Sequence, residues 1–462
     1  MLEPKKMKII TSFLIIQMLI NVFFVTEANS TVIRFVHSET NKEEQETINL
    51  IVKAFMNLND DITVNTIAVE ENEMIDYFLK TAKSGDLPDL IYCRSHIASG
   101  LNQRGLLDQV AVNEIINQLG RNRFFQGPLA KVHDTNTNNK FAVPFSSWIQ
   151  GLWYRKDWFE KAGLEPPTTW KTIEKAAKYF SLSKDVRHGI LVGTKADHYT
   201  EQVFSQIAIA NNAHIFNKKG EVVIDSKQMV DALKYYKILA NFGPTGENDW
   251  RARDYYIQGK LAMMFYSTFI MDDLAIASVA QDSLTGQNYS DLEGANFDPE
   301  LVNNTGYEMV ISNQKSSSYG SLNVLTIANT SDDEKSYAAN KLARYLYQPS
   351  AYILFLHMAP GGMNPVFKDI AMNSSYLADP AYLFTRYGHD NVKKIIDGQD
   401  YIQTFGYLGN TYFPVADEIS NQEIIGKMVH KHLFESMSAE DSVSWAKEQV
   451  EQIIKEFDED VL

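Results

Sequence analysis

The stretch Lys140–Trp170, KFAVPFSSWIQGLWYRKDWFEKAGLEPPTTW, decides how this chain is read. It joins a proline-interrupted apolar run, two serines and a tryptophan, a second apolar run and a short helical segment. Pro144 has no N–H to give a sheet, so it belongs at an edge or a crossing position. The run KDWFEKAGL reads as a short helix stopped by Gly163. Pro166 and Pro167 hold the chain extended. Thr169 is then the expected N-cap of a helix whose Ile173, Ala176, Ala177 and Phe180 share one face. Thr172 stands where a capping box wants glutamate, so this cap is expected to be incomplete. No acid, base or nucleophile converges in the stretch. Its parts suit a ligand crevice at a hinge.

Upstream, the chain reads as βαβαβ. Thr31–Val36 is a β-branched and aromatic run, and Thr40 with Glu43 suggests a capping box ahead of a helix bearing Ile48, Ile51, Ala54, Phe55 and Leu58 on one face. DITVNTIAV follows as a strand, Ile75, Phe78, Leu79 and Ala82 mark a second helix ended by Gly85, and PDLIYC closes the unit as a third strand. Such alternation implies a parallel sheet with ligand beyond the carboxyl ends of its strands, here His37–Glu39 and Cys93–His96. Downstream come a hairpin around Lys219–Gly220, an amphipathic helix within residues 226–244, and a polar, aperiodic segment at 281–305. A second β-rich run at 321–328, a helix from about Asp332 to Tyr347 and a charged helical end from Ser420 to Asp458 complete the chain.

With 462 residues, two lobes are expected rather than one core. The first thirty residues carry Lys5, Lys6 and Lys8, an apolar run Ile9–Val25 and a small-x-small pattern at Ala28–Ser30, the marks of an export signal. The formal charge is −15, and cleavage after Ser30 removes three lysines and two glutamates to leave −16. Such acidity argues against nucleic acid and anionic lipid as partners. Cys93 is the single cysteine, so no internal disulfide is available, and no cysteine stands near the cleavage point to carry a lipid anchor. The expected location is the periplasm.

Five blocks carry a family resemblance, in the family's order: SGDLPDLIYC with LNQRGLLDQV, FAVPFSSWIQGLWYRKDWFEKAGLEPPTTWKTIEKAAKYF, YYIQGKLAMMFYSTF, SLNVLTIANTSDDEKSYAANKLARYL and APGGMNPVFKD. The chain resembles the extracellular solute-binding proteins of the maltose-binding type, the capture subunits of ABC importers. The resemblance implies a two-lobed α/β fold of the type II periplasmic-binding-protein class, with strands crossing a hinge after Pro144 and again near Tyr319–Asn323. It implies lobe one at residues 31–145 plus about 320–358, and lobe two at 146–319 plus about 359–462. It further implies a monomer that closes on a small solute, a sugar or oligosaccharide, and delivers it to membrane permease subunits, with no enzymatic activity, metal or cofactor. A sensor subunit presenting ligand to a membrane kinase or chemoreceptor uses the same closure and stays as an alternative, as does a non-sugar solute. The segment from about Gln281 to Ser318 has no counterpart in the family pattern.

Sugar recognition needs hydrogen-bond partners for hydroxyls and flat apolar surfaces for ring faces. Trp148, beside Ser147 on the crossing segment, is the candidate stacking platform; its bland alternative is interlobe packing. Glu39 and Arg94 are candidates for hydroxyl contacts, against a solvated surface pair. Tyr266 and Ser267 follow an apolar strand where family members often contact ligand, and Tyr319 lies on the second crossing. Trp250 in GENDWRAR, Gly362 as a point of close backbone approach, and Tyr412 in TYFPV complete the set. Trp153, Tyr154, Trp158, Phe159 and Trp170 read as core. His430 and His432, at i,i+2, do not share a helix face, so no zinc site is expected.

Overall fold

The computed structural model describes residues 30–134, 136–183, 188–409 and 411–461, so the expected export signal lies outside the described residues. Twelve strands appear among them: β1 Thr31–His37, β2 Ile62–Ala68, β3 Leu90–Arg94, β4 Val143–Arg155, β5 Met263–Ser267, β6 Thr305–Glu308, β7 Ile311–Ser312, β8 Ser316–Ser317, β9 Tyr319–Ile327, β10 Asn364–Pro365, β11 Tyr407–Leu408 and β12 Thr411–Tyr412. Eight of them form one sheet, in the order β10-β4-β9-β3-β1-β2, with β5 and β6 also paired to β4.

The expected βαβαβ unit is present, with β1 parallel to both β2 and β3. β1 and β3 read as nearly continuous apolar runs because helices cover the sheet, and Phe35, Val36, Ile91 and Tyr92 are buried. The second strand pair departs from the parallel rule: β9 runs antiparallel to both β3 and β4.

β4 organises the rest. Its first half, Val143–Gln150, pairs with β9. Its second half pairs with β5 over Gln150–Tyr154 and with β6 over Leu152–Arg155. One thirteen-residue strand therefore belongs to two sheet regions. The register with β9 shifts between Pro144 and Ser146, where the missing N–H of proline interrupts the ladder. The carbonyls freed there find partners in buried tyrosines. The Tyr347 hydroxyl donates to the Pro144 carbonyl at 2.6 Å and to that of Val143 at 3.2 Å, and the Tyr352 hydroxyl donates to Phe145. Phe145 packs edge-on against Tyr92, Tyr352 and Phe355. The crossing is thus anchored by hydrogen bonds and by an aromatic cluster.

Local expectations are met in part. Gly85 (φ +68°) and Gly163 (φ +63°) lie in the left-handed region beyond their helices, as C-terminal stops. The Thr169 cap is complete, not partial. Thr169 Oγ1 accepts from the Thr172 N–H at 3.1 Å, and Thr172 Oγ1 accepts from the Thr169 N–H at 2.9 Å. A hydroxyl both donates and accepts, so threonine substitutes for the expected glutamate. The Thr40–Glu43 box does not form: the helix Lys42–Leu58 starts after Asn41, whose side chain makes no backbone cap. The hairpin at Gly220 is reduced to a turn closed by a single Phe216–Val222 bridge. The polar segment after Gln281 is held in place by polar contacts, with Arg253 paired to Asp282, Asn288 to Asp254 and Gln258 to the Ser283 carbonyl.

Gly320 faces β4 so closely that a Cβ would lie 2.4 Å from the Trp148 carbonyl oxygen, whereas Gly100 has only the tip of Arg104 at 3.7 Å. Gly320→Ala is therefore expected to destabilise the protein by about 1–3 kcal/mol through overpacking. Gly100→Ala, inside the helix Ser95–Gln103, should stabilise it by about 0.5–1 kcal/mol. Urea denaturation of both variants checks the pair, and equal effects would refute the close approach at the crossing.

Candidate functional site

The carboxyl ends of β2 and β3 and the crossing of β4 with β9 frame one cleft of about 790 Å³. Trp148 of β4 and Tyr319 of β9 share its lining, with ring centroids 5.9 Å apart and planes at 43°. They meet because Trp148 and Ser321 are register partners, as are Gln150 and Tyr319.

One wall is charged. Arg94, at the end of β3, donates from Nε to Glu71 at 2.9 Å. Glu39, beyond the end of β1, is not part of the lining and acts on this pair through its charge. Burial, and then the charge of Glu44, raise its carboxyl to about 7 against the pull of Arg94. Ser95 and His96 continue the wall at the start of the helix that follows β3.

The opposite wall comes from the helix His198–Ala210 and from residues 402–407 and 412–421. That helix is buried almost all round, yet Glu201, Gln202 and Ser205 line the cleft. Asp197 caps it, its side chain accepting from the Thr200 N–H at 2.9 Å. Burial raises the Glu201 carboxyl to about 7, and the Ser420 hydroxyl donates to it at 3.0 Å. Asp417 accepts from the Tyr412 hydroxyl, and burial holds its carboxyl above the ordinary range. The Tyr412 ring packs on Tyr407, with centroids 4.6 Å apart. Lys131, at the end of the helix Gln126–Lys131, completes the lining and places its ammonium 4.2 Å from the Tyr407 ring centre.

The structure brings four of the candidate residues together around the cleft: Arg94, Trp148, Tyr319 and Tyr412. Glu39 adjoins it through Arg94. The others sit elsewhere. Ser147 points to the Gln399 side chain at 3.3 Å and is buried. Tyr266 accepts the Trp153 indole N–H on its carbonyl at 2.9 Å, and Ser267 pairs with Gln150 at the end of β5. Gly362 packs under Phe269, where a Cβ would lie 2.1 Å from the ring. Trp250, 47% exposed, has Arg251 and Arg253 each 5.0 Å from its ring centre. Cys93 is buried, and that burial pushes its thiol well up, out of the range of a nucleophile.

Sequence reasoning missed Lys131, Glu201, Tyr407 and Asp417. Glu201 had a weak signal: with Ser205 it forms an i,i+4 polar pair ahead of the apolar end of its helix. Lys131 had none, since a lone lysine before a polar loop reads as solvated surface.

The profile of the bacterial extracellular solute-binding proteins matches residues 40–352, more than half of the chain. The chain is 30% identical over 399 residues to YcjN of Escherichia coli (strain K12), named for an ABC transporter periplasmic-binding protein, covering 86% of this chain and 87% of that one. In fold it is similar to a cyclic alpha-maltosyl-1,6-maltose binding protein from Arthrobacter globiformis, with TM-score 0.68 and 14% identity over 92% of this chain and 100% of the other. It is similar to UgpB from Mycobacterium tuberculosis in complex with glycerophosphocholine, with TM-score 0.63 and 16% identity over 94% and 100%. The fold is accordingly the two-lobed, maltose-binding-like type II architecture, with β4 and β9 as its crossing strands. The chain belongs to the bacterial extracellular solute-binding protein family, the substrate-capturing components of ABC transporters.

Proposed function

We propose that this protein captures a sugar or oligosaccharide in the cleft and delivers it to the permease of an ABC importer in the inner membrane. It would act as an exported monomer without catalytic activity. The observation that carries the reading is Trp148: an aromatic ring set by the crossing strand into a cleft whose other walls bear carboxylates, hydroxyls and amides. A ring face stacks on the sugar C–H face while acceptors on either side take the hydroxyls. The volume, about 790 Å³, lies toward the upper end of the roughly 300–1,000 Å³ usual for small-ligand pockets and accommodates more than one sugar ring.

On this reading the lobes divide near residue 145 and near residue 320, so ligand contacts residues from both. Arg94 and Glu71 come from one side, and Glu201, Tyr412 and Asp417 from the other. Closure follows because ligand binds the closed arrangement with more contacts than the open one. Burial disfavours the charge of Glu201 and raises it toward neutrality. Sugar hydroxyls would donate to it and stabilise the carboxylate.

Two outcomes are expected. In a thermal-shift screen against mono- and oligosaccharides, polyols, sugar phosphates and amino acids, one carbohydrate class raises the midpoint, and Trp148→Ala removes most of that rise. A shift from amino acids alone would overturn the sugar assignment. For the ligand-free protein, the raised Glu201 carboxyl binds its proton more tightly folded than unfolded. Its stabilising effect is therefore full below pH 4.5 and is lost as the pH rises through about 7. Glu201→Gln should thus raise the melting midpoint at pH 8 and change it little at pH 4.5; the reverse order would show that the carboxyl is not buried as described.

A further inference from the structure

Lys131 is the buried group that the sugar reading leaves without a task. It is 7% exposed, lines the cleft, and presents its ammonium to the face of Tyr407. Among the described residues no carboxylate lies within ion-pair distance of that ammonium, and no hydrogen-bond acceptor takes it. Three of the cleft carboxylates are engaged with other groups: Glu71 with Arg94, Glu201 with Ser420, Asp417 with Tyr412. The charge that acts on Lys131 is that of another cation, Lys315, whose ammonium meets the His214 ring nitrogen at 2.9 Å. Burial and this repulsion lower the amine to about 7. A cation buried without its counter-charge, in a chain of net charge −15, is a costly arrangement that an apolar residue would relieve.

We propose that the cleft takes an acidic saccharide, a uronate or aldonate unit, whose carboxylate sits against Lys131 as its counter-ion. This rests on the sugar reading and narrows it. Tyr407 fixes the geometry, since its hydroxyl donates to the Lys131 backbone carbonyl at 2.9 Å while its ring faces the ammonium. The aliphatic stem and the head are thereby held in place before ligand arrives. One ammonium matches a monoanion. A phosphate dianion would want a guanidinium fork, and Arg94 is already engaged by Glu71.

Calorimetric titration of the purified protein with galacturonate, glucuronate and gluconate, each beside its neutral counterpart galactose or glucose and beside glucose 6-phosphate, tests the proposal. The acid should bind more tightly than its neutral counterpart. Lys131→Met should weaken the acid about 10- to 100-fold and the neutral sugar no more than about threefold, while Lys131→Arg keeps the preference. Ligand-free Lys131→Met should melt at or above the wild-type midpoint, which also shows that it is folded, and Lys131→Gln serves in its place if it is not. Equal affinity for acid and neutral sugar, or an equal loss of both in Lys131→Met, would overturn the counter-ion role and leave sugar capture intact. Tighter binding of the phosphate would overturn the carboxylate assignment. Binding of none of these, with amino acids bound instead, would overturn the sugar reading itself.

Discussion

The antiparallel pairing of β4 with β9 is the constraint on which the rest of this structure depends. A strand that pairs with β9 over its first half and with β5 and β6 over its second ties two sheet regions through one backbone. Ladder hydrogen bonds fix its register, and register fixes which side chains face the cleft. Trp148 and Tyr319 meet there for that reason. Pro144 interrupts the ladder at the entrance to the crossing, and the hydroxyls of Tyr347 and Tyr352 donate to strand carbonyls there from outside the sheet.

Electrostatics divides the cleft into an ion pair and groups whose charge burial disfavours. Arg94 and Glu71 neutralise each other and mainly orient. Glu201 and Lys131 have their charged forms disfavoured by burial, in opposite directions, and both sit near 7. Ligand hydroxyls and a ligand anion are what would relieve the two groups, so binding and closure draw on the same free energy.

Much of the fold is legible in the sequence, because the periodic runs of β1, β2 and β3 and the proline-marked β4 have no other good reading. The block from Phe141 to Trp170 carries both the crossing and the helix behind it. Legibility fails where tertiary context decides. Thr172 completes a cap that its identity argues against, and the helix start at Asn41 leaves the expected Thr40 box unformed. At the cleft, Trp148, Arg94, Tyr319 and Tyr412 are readable because they adjoin strand ends or aromatic clusters. Ser147, Tyr266 and Gly362 are equally well placed along the chain, yet the pleat and the neighbouring Phe269 and Gln399 turn them to packing. Lys131 is invisible in sequence because its burial comes from residue 407, far along the chain.

Trp148 as the ligand platform is the claim on which the functional account turns. The most direct test is tryptophan fluorescence titration of the protein against a saccharide panel, in the wild type and in Trp148→Phe, which keeps a stacking ring but removes the reporter. Six tryptophans are present. The account predicts a saturable change in the wild type that disappears in Trp148→Phe while binding persists by calorimetry. An undiminished saturable change in Trp148→Phe would place the ligand against another tryptophan and contradict it.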